Sequence, residues 1–227
     1  MRRISLDTET TGLDPEKGHK LIEIGCVELN DNIPTGSYWH QYINPGRKID
    51  IEAKQVHGIS EEFLSDKPMF KDIAKDFLCF IKNSELIIHN AKFDLGFINT
   101  ELENANYKNI EDMSYIDTIK IAKQKYPGSS VNLDALCKRF NIDLSRRKKH
   151  GALLDAELLS EVYLELTGGR QKNLGLIIKK DIEMDINNNI KDLNDSYEER
   201  FYKLKEDDIV KHNDLINKIK NSLWKIG

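Results

Sequence analysis

The sequence predicts an α/β domain built on a mixed β-sheet, and the order of its hydrophobic patterns carries that prediction. Segments with the alternation of β-strands come first, and a short apolar strand interleaved with segments of helical period follows them. Strands first, and then strand and helices in alternation, are typical of a sheet covered by helices. A chain of 227 residues has room for one such domain and a short additional element.

Three strands are predicted near the N-terminus. Residues 4–7 form a β-type run that stops at the turn-prone residues 10–12. Residues 21–29 alternate as a second strand, and residues 37–43 form a third that ends at an Asn-Pro-Gly turn. These three runs predict a meander.

A fourth strand and several helices are predicted for the rest of the domain. Apolar residues recur at helical spacing over residues 70–81, which predicts a helix there. Residues 86–88 are a short apolar strand, and Gly168-Gly169 is a helix stop. Four more helices are predicted at residues 93–105, 117–124, 132–140 and 151–166.

The composition excludes several classes of protein. Charged residues make up 32% of the chain and hydrophobic residues 39%, which is ordinary for a globular protein. No stretch approaches the roughly 20 apolar residues that a membrane span needs. The N-terminus has basic residues but lacks the apolar segment of a signal peptide. Cys26, Cys79 and Cys137 lie far apart in apolar settings without zinc-ligand spacing, so we expect reduced core cysteines in a cytoplasmic protein.

Charge is distributed unevenly along the chain. The net charge is −4, whereas indiscriminate binding of duplex nucleic acid normally goes with a strongly basic domain. Residues 1–168 carry 22 lysines and arginines against 27 aspartates and glutamates. A run of charged residues is most often a solvated face. One basic cluster in this acidic region is of more interest, because it comes directly before His150. Its members are Lys138, Arg139, Arg146, Arg147, Lys148 and Lys149.

The chain beyond residue 168 differs from the domain before it. Residues 169–205 are rich in Lys, Asp and Asn without a sustained period, which predicts a linker. Residues 206–227 are predicted to form a C-terminal helix with acidic residues in its first turn. A stripe at helical spacing runs along it, made of Ile209, His212, Leu215, Ile216, Ile219 and Leu223.

Four acidic residues and one histidine form the candidate catalytic constellation. Asp7 and Glu9 are two residues apart at the end of the first strand, so both side chains project to the same side. Two carboxylates on one face repel each other unless a cation lies between them, and hard divalent ions prefer carboxylate oxygens. Asp94 follows the fourth strand, and His150 and Asp155 open the last helix of the domain. All five stand at the ends of elements, where sites are usually built.

Any one of these pairs alone is compatible with plain surface solvation. The spacing of Asp7 and Glu9 recurs at residues 181–183, and the spacing of His150 and Asp155 recurs at residues 89–94. The order and the structural context of the whole set therefore carry the interpretation.

The ordered motifs resemble the three exonuclease motifs of the DnaQ-like (DEDD) superfamily. The residues that carry the resemblance are Asp7-Thr8-Glu9-Thr10-Thr11-Gly12, His89-Asn90-x-x-Phe93-Asp94 and His150-x₄-Asp155. The sister branch of the superfamily has a tyrosine one residue closer to the last aspartate. That position is Gly151 here, so the chain resembles the histidine (DEDDh) branch.

The resemblance covers residues 1–168 and is nearest to the epsilon-subunit family of bacterial DNA polymerase III. Val56-His57-Gly58-Ile59 and the late Leu223-Trp224 are also similar to that family. The resemblance implies a ribonuclease H-like fold and a 3′→5′ exonuclease that proofreads DNA 3′ ends, as a subunit of a nucleotidyltransferase complex.

The resemblance also implies roles for individual residues. Asp7, Glu9, Asp94 and Asp155 would hold two Mg²⁺ or Mn²⁺ ions, and His150 would take the proton from the attacking water. The alternative for His150 is a helix-capping or solvent-facing histidine. The substrate would be contacted by Asp7, Glu9, Glu52, His57 and Asp155. For His57, stabilisation of a helix end is the alternative.

Two partners are implied beyond residue 168. The stripe at 209–223 would dock on the alpha (polymerase) subunit, as the tail does in the epsilon family; the alternative is a helix folded back on the exonuclease domain. Residues 171–176, Gln-Lys-Asn-Leu-Gly-Leu, resemble the short peptide by which polymerase subunits bind the sliding clamp.

Two other functions remain open from the sequence. A stand-alone DEDDh exoribonuclease would have the same active site, because the choice between DNA and RNA depends on how the site meets the 2′-hydroxyl. The C-terminal extension favours the polymerase subunit, since a solitary ribonuclease has less need of it. A non-catalytic scaffold is the third hypothesis, and the five intact candidate residues argue against it.

Overall fold

A computed structural model describes residues 1–147, 149–168 and 205–218 of the chain. The chain divides into two compact units, Met1–Leu174 and Gly175–Gly227. Residues 171–176 and all of the predicted linker except its last residue lie outside the described residues.

The first unit contains a five-stranded mixed sheet. Its strands are β1 (Arg2–Thr10), β2 (Leu21–Asn30), β3 (Ile33–Tyr42), β4 (Glu85–Ile88) and β5 (Tyr115–Asp117), in the order β3-β2-β1-β4-β5. β1, β2 and β3 form the predicted antiparallel meander, whereas β4 runs parallel to β1 and β5 runs parallel to β4. The prediction of a mixed sheet is confirmed.

Helices cover both faces of this sheet. The first unit has α1 (Ile51–His57), α2 (Glu61–Leu64), α3 (Phe70–Ile81), α4 (Ala91–Asn104), α5 (Thr118–Lys125), α6 (Leu133–Phe140) and α7 (Ala152–Leu166), and a short 3₁₀ helix at Pro15–Lys17. The second unit contains α8 (Glu206–Lys218), which begins where the C-terminal helix was predicted and is described as far as residue 218.

Two hydrophobic clusters lie on the two faces of the sheet, and they show to which face each strand residue points. α3 and α4 bury Phe77 and Phe97 against one face of the sheet, together with Ile4 and Leu6 of β1. α5, α6 and α7 pack on the other face, where β4 contributes Ile87. Ile87 pairs with Ser5, so the odd-numbered residues of β1 point towards α7 and the even-numbered residues towards α4. This alternation decides where the acidic residues of β1 point.

One expectation about the cysteines is wrong. Cys26 and Cys137 are buried as expected, but Cys79 is exposed, because it lies off the face of α3 that carries the buried residues. None of the three forms a disulfide. Among the described residues, no helix is both long enough and apolar enough to span a membrane.

Candidate active site

The C-terminal end of β1 supplies the first two carboxylates. Asp7 and Glu9 occupy odd positions and therefore point to the side of the sheet that α7 covers. Asp7 pairs with Gly25 of β2. A Cβ on Gly25 would lie 2.3 Å from the backbone of Ala152, so only glycine lets the start of α7 approach the sheet this closely. The glycine thus brings the first turn of α7 next to Asp7.

Asp94 reaches the same end of β1 from the opposite layer. Asn90 adopts a left-handed conformation with φ of 80°, which asparagine tolerates better than most residues, and α4 begins directly after it. Asp94 lies in the first turn of α4 and is 3% exposed. The hydroxyl of Thr8 donates a 2.7 Å hydrogen bond to Oδ1 of Asp94. Thr8 is the even-numbered residue between Asp7 and Glu9, so β1 contacts both layers within three residues.

His150 and Asp155 meet at the start of α7. Nδ1 of His150 lies 3.2 Å from Oδ2 of Asp155 and 2.8 Å from Nη2 of Arg147. Nε2 of His150 makes no hydrogen bond to a described residue and is the ring nitrogen left for a ligand. The backbone amide of His150 is 3.4 Å from the carbonyl of Val56, which ties this loop to α1.

Three of the predicted residues form a group that could hold a divalent metal ion. One ligand atom from each of Glu9, His150 and Asp155 lies within 4.8 Å of the others. Carboxylate oxygens and an imidazole nitrogen are ligands that divalent cations accept. Asp7 and Asp94 are outside this group of mutually close atoms, but their charges act on it.

The pKa values show how much negative charge the site concentrates. Burial, and then the charges of Asp94, Glu9 and Asp155, raise the pKa of Asp7 well above its ordinary value. Burial and neighbouring carboxylates raise the pKa of Glu9 to about 8. Burial raises the pKa of Asp94 to about 7, although the Thr8 hydrogen bond opposes it. Bound cations would relieve this repulsion, which supports the fit of the site to a metal ion.

The raised pKa values predict how the metal-free protein responds to pH. The carboxyls of the unfolded chain titrate near ~4, so between ~4 and ~8 the folded state binds more protons and loses stability as the pH rises. We expect the protein in EDTA to be less stable in urea at pH ~9 than at pH ~6.5, and Glu9→Gln to flatten this dependence. A wild-type protein whose stability rises between these pH values would contradict the charge arrangement.

Asp155 is the exception among the four carboxylates, and Arg147 is the reason. Burial works against its charge, but hydrogen bonds from His150 and Arg147 offset that effect and lower the pKa of Asp155. Nε and Nη2 of Arg147 donate to the two oxygens of Asp155 at 2.5 and 2.7 Å, and Nη1 donates to Asp134 of α6. The Arg147 side chain is only 7% exposed. It joins α6, α7 and His150 and compensates the Asp155 charge.

Removing Arg147 should therefore destabilise the metal-free protein. Arg147→Gln leaves Asp155 buried without its cation, which costs about 3 kcal/mol or more of unfolding free energy. A divalent ion at Asp155 would replace part of the lost charge, so we expect the loss to shrink in Mg²⁺ or Mn²⁺. Urea unfolding with EDTA and with metal measures both values. Arg146→Gln is the matched control, because the contact of Arg146 with Glu157, at 3.4 Å, joins two exposed side chains and contributes little to stability. An equal loss with and without metal would refute this role.

A cleft of about 460 Å³ opens beside Glu9, and we call it the nucleoside cleft. Its volume lies in the range of small-molecule sites, about 300–1,000 Å³. Leu13, Val56 and Phe93 provide apolar walls, and Leu13 and Val56 are exposed at its rim. Three of the five predicted substrate residues, Glu9, Glu52 and His57, line this cleft, whereas Asp7 and Asp155 do not.

One ring nitrogen of His57 is buried and unpaired within the described part of the chain. His57 is 5% exposed, and its Nδ1 accepts a 3.0 Å hydrogen bond from the amide of Ile59. The neutral ring therefore carries its proton on Nε2, which is buried and makes no hydrogen bond to any of the described residues. Burial lowers the pKa of His57, which favours this neutral form. His57 does lie at the end of α1, as its structural alternative predicts, but Nε2–H is also a donor available to a ligand.

Sequence reasoning did not foresee two residues of this site. Arg147 was visible only as a member of the basic cluster, and its bonds to Asp134 and Asp155 depend on how α6 packs on α7. Thr8 stands inside the first motif, but its bond to Asp94 depends on the register of β1 against α4. The alternation of β1 was the signal that could have separated Thr8 from its neighbours.

Comparisons with known proteins show the family to which the chain belongs. A family model described as "Exonuclease" matches residues 4–163. The chain is 53% identical to DNA polymerase III subunit epsilon of Rickettsia prowazekii, covering 83% of this chain and 82% of that one. It is 48% identical to the subunit of the same name from Rickettsia typhi, covering 96% and 97% of the two chains.

Solved structures share the fold at lower identity. The nuclease domain of 3′hExo, a DEDDh family member bound to rAMP, superposes with a TM-score of 0.63 at 19% identity, covering 75% of this chain and 94% of that one. That likeness confirms the ribonuclease H-like arrangement of the five-stranded sheet and its helices. The chain belongs to the exonuclease family and, within it, to the DNA polymerase III epsilon subunits.

Proposed function

We propose that this chain is the 3′→5′ DNA exonuclease that proofreads for DNA polymerase III, hydrolysing the last phosphodiester at a DNA 3′ end. The observation that carries the proposal is the meeting of Glu9, His150 and Asp155 at the end of β1, beside a cleft of nucleoside size. Family membership and the names of the relatives support it. The product is a nucleoside 5′-monophosphate and a strand shortened by one nucleotide.

The carboxylates of Asp7, Glu9, Asp94 and Asp155 would hold two divalent ions, Mg²⁺ or Mn²⁺. Such ions, when bound, supply charge stabilisation at the scissile phosphate and make water more acidic. Each oxygen of Asp155 accepts one hydrogen bond from Arg147 and keeps a further lone pair with which it could bind an ion. Asp94 keeps its orientation through Thr8.

His150 acts as the general base in this proposal. Nη2 of Arg147, which can only donate, lies 2.8 Å from Nδ1, so the base form requires Arg147 to turn away from this nitrogen. Nδ1 then carries the ring proton and donates to Oδ2 of Asp155, 3.2 Å away, and the lone pair of Nε2 accepts the proton of the attacking water.

The nucleoside cleft would receive the terminal nucleotide. Leu13, Val56 and Phe93 offer apolar surface to a base, and Nε2–H of His57 offers a donor to a sugar or base oxygen. Glu52 is an exposed residue in the lining of the same cleft and can accept a hydrogen bond from the 3′-hydroxyl. Asp7, Glu9 and Asp155 would contact the scissile phosphate through the bound ions.

A side-by-side assay tests the function. The purified protein is given single-stranded DNA, a mispaired primer end, a matched primer end and RNA of the same sequence, each with Mg²⁺ and with EDTA. We expect metal-dependent release of nucleoside 5′-monophosphates, faster from unpaired than from paired DNA ends and slowest from RNA. Preferential trimming of RNA would instead favour the stand-alone exoribonuclease.

The second unit would connect the exonuclease to the polymerase subunit. Within α8, Ile209 is 43% exposed, Leu215 is 59% exposed, and no residue is buried. An amphipathic helix with an exposed apolar stripe is suited to a groove on a partner. Contact of residues 171–176 with the sliding clamp is part of the same proposal and concerns residues outside the described part.

Substitutions in the stripe test this connection. Ile209→Asp combined with Ile216→Asp should abolish co-purification with the polymerase subunit, because two charges would enter the apolar contact, while nuclease activity stays unchanged. Asn217→Asp places the same side chain on the opposite side of α8 and should leave co-purification intact. Full retention of the partner by the double variant would refute docking through this stripe.

A further inference from the structure

A second cavity, of about 440 Å³, has His150 in its lining. We call it the basic cavity; its lining includes Val56, Lys138, Arg147, Lys149 and His150. Val56 also lines the nucleoside cleft, and Glu9 of that cleft has a ligand atom within 4.8 Å of one on His150. The carboxylate and histidine group therefore lies between the two cavities.

The two cavities differ in charge. The nucleoside cleft is lined by four acids, Glu9, Asp14, Asp50 and Glu52, and its Lys17 and His19 lie beside two of them, at 3.9 Å from Asp14 and 3.5 Å from Asp50. The basic cavity has one acid in its lining, Asp134, and that carboxylate is bound by Arg147. A phosphodiester is therefore disfavoured in the cleft and favoured in the basic cavity.

Two lysines supply the uncompensated charge. Lys138 is exposed on α6 and forms no ion pair with any described residue. Lys149 is also exposed, and its Nζ donates a 2.7 Å hydrogen bond to the carbonyl of Gln55, near the C-terminal end of α1, rather than to a carboxylate. That bond holds the Lys149 ammonium in place before any ligand arrives. Uncompensated lysines are notable in a region with more acids than bases.

We propose that the basic cavity binds the first phosphodiester upstream of the scissile one, through Lys138 and Lys149. The inference rests on the proposed function, since it places the 3′-terminal nucleoside in the nucleoside cleft and the scissile phosphate at the carboxylates. The strand then leaves the site past His150, and its next phosphate meets the two lysines. Contacts of this kind position a strand without reading its sequence, which suits an enzyme that must accept every base.

Substrate length provides the test. The dinucleotide TpT has only the scissile phosphate, whereas TpTpT has one upstream phosphate and an oligothymidylate of eight residues has several. Lys138→Gln and Lys149→Gln should leave kcat and KM for TpT unchanged. For TpTpT and the octamer, each should raise KM about three- to fivefold with little change in kcat. The slope of log KM against log salt for the octamer should fall by about 0.7 per lysine.

Lys75→Gln is the matched control, because Lys75 is an exposed lysine of α3 that lines neither cavity. Equal effects of the lysine variants on TpT and on TpTpT would overturn the proposal, since they would show damage to the active site itself. Lysine variants whose KM for the octamer equals that of Lys75→Gln would also overturn the proposal.

A binding measurement separates this proposal from the proposed function. Fluorescence anisotropy with a labelled octamer in EDTA requires no hydrolysis. An affinity for the octamer that is lower than that of the wild type in both lysine variants, but unchanged in Lys75→Gln, supports the basic cavity even if no DNA is cleaved. Unchanged binding overturns the proposal, whereas failure of the wild type to hydrolyse any of the three substrates in Mg²⁺ counts against the exonuclease.

Discussion

His150→Ala should lower kcat on single-stranded DNA by about a hundredfold to ten-thousandfold, the contribution expected of a general base. The loss should fall on kcat, because Nε2 of His150 is the atom assigned to proton transfer and makes no hydrogen bond to a described residue. The variant also loses the contacts of Nδ1 with Arg147 and Asp155, so urea unfolding is the control for stability. Metal affinity, measured by titration with Mn²⁺, should survive, and added imidazole should restore part of the rate.

The same variant separates two roles that the geometry allows. His150 has a ligand atom within 4.8 Å of Glu9 and Asp155, so it could be a metal ligand instead of a base. In that case the affinity for Mn²⁺ would fall together with kcat, and excess metal, not imidazole, would restore activity. A variant with nearly the wild-type rate would contradict both roles.

Asp7→Asn should have opposite effects on activity and on stability. Activity should fall about a thousandfold, which corresponds to several kcal/mol of lost charge stabilisation at the metal site. The metal-free protein should become more stable, because the substitution removes a buried carboxylate whose pKa is raised by burial and by Asp94, Glu9 and Asp155. Urea unfolding in EDTA measures the stability.

A control for the Asp7 variant keeps the charge change but moves it away from the site. Asp112→Asn removes an exposed carboxylate that pairs with Lys108 at 2.9 Å. It should leave activity unchanged and should not stabilise the protein. A metal-free Asp7→Asn protein that is less stable than the wild type would show that Asp7 is held by favourable contacts and not by repulsion that metal relieves.

Hydrophobic periodicity was sufficient to predict most of the sheet and the long helices. The apolar spacing within residues 70–81 and the alternation of residues 21–29 reflect burial on one face, so α3 and β2 are found where they are predicted. β5 and α2 were missed because three and four residues are too few to show a period. α1 was also missed: its seven residues bury only His57.

The candidate site was predictable in its residues but not in its contacts. Motif order singled out Asp7, Asp94 and His150, which stand at the ends of elements. The bond from Arg147 to Asp134 spans 13 residues and exists only because α6 lies beside α7. The close approach of α7 to Asp7 likewise depends on Gly25, which looks like any other glycine within a strand.

The central claim is that the acidic residues at the end of β1 hold divalent ions beside a nucleoside-sized cleft. Crystals grown with Mn²⁺ and thymidine 5′-monophosphate test it directly through anomalous scattering. The account predicts two Mn²⁺ peaks among Asp7, Glu9, Asp94 and Asp155, with the phosphate at the ions and the thymine in the nucleoside cleft. Ions bound elsewhere, or a nucleotide bound away from Glu9 and His57, would contradict it.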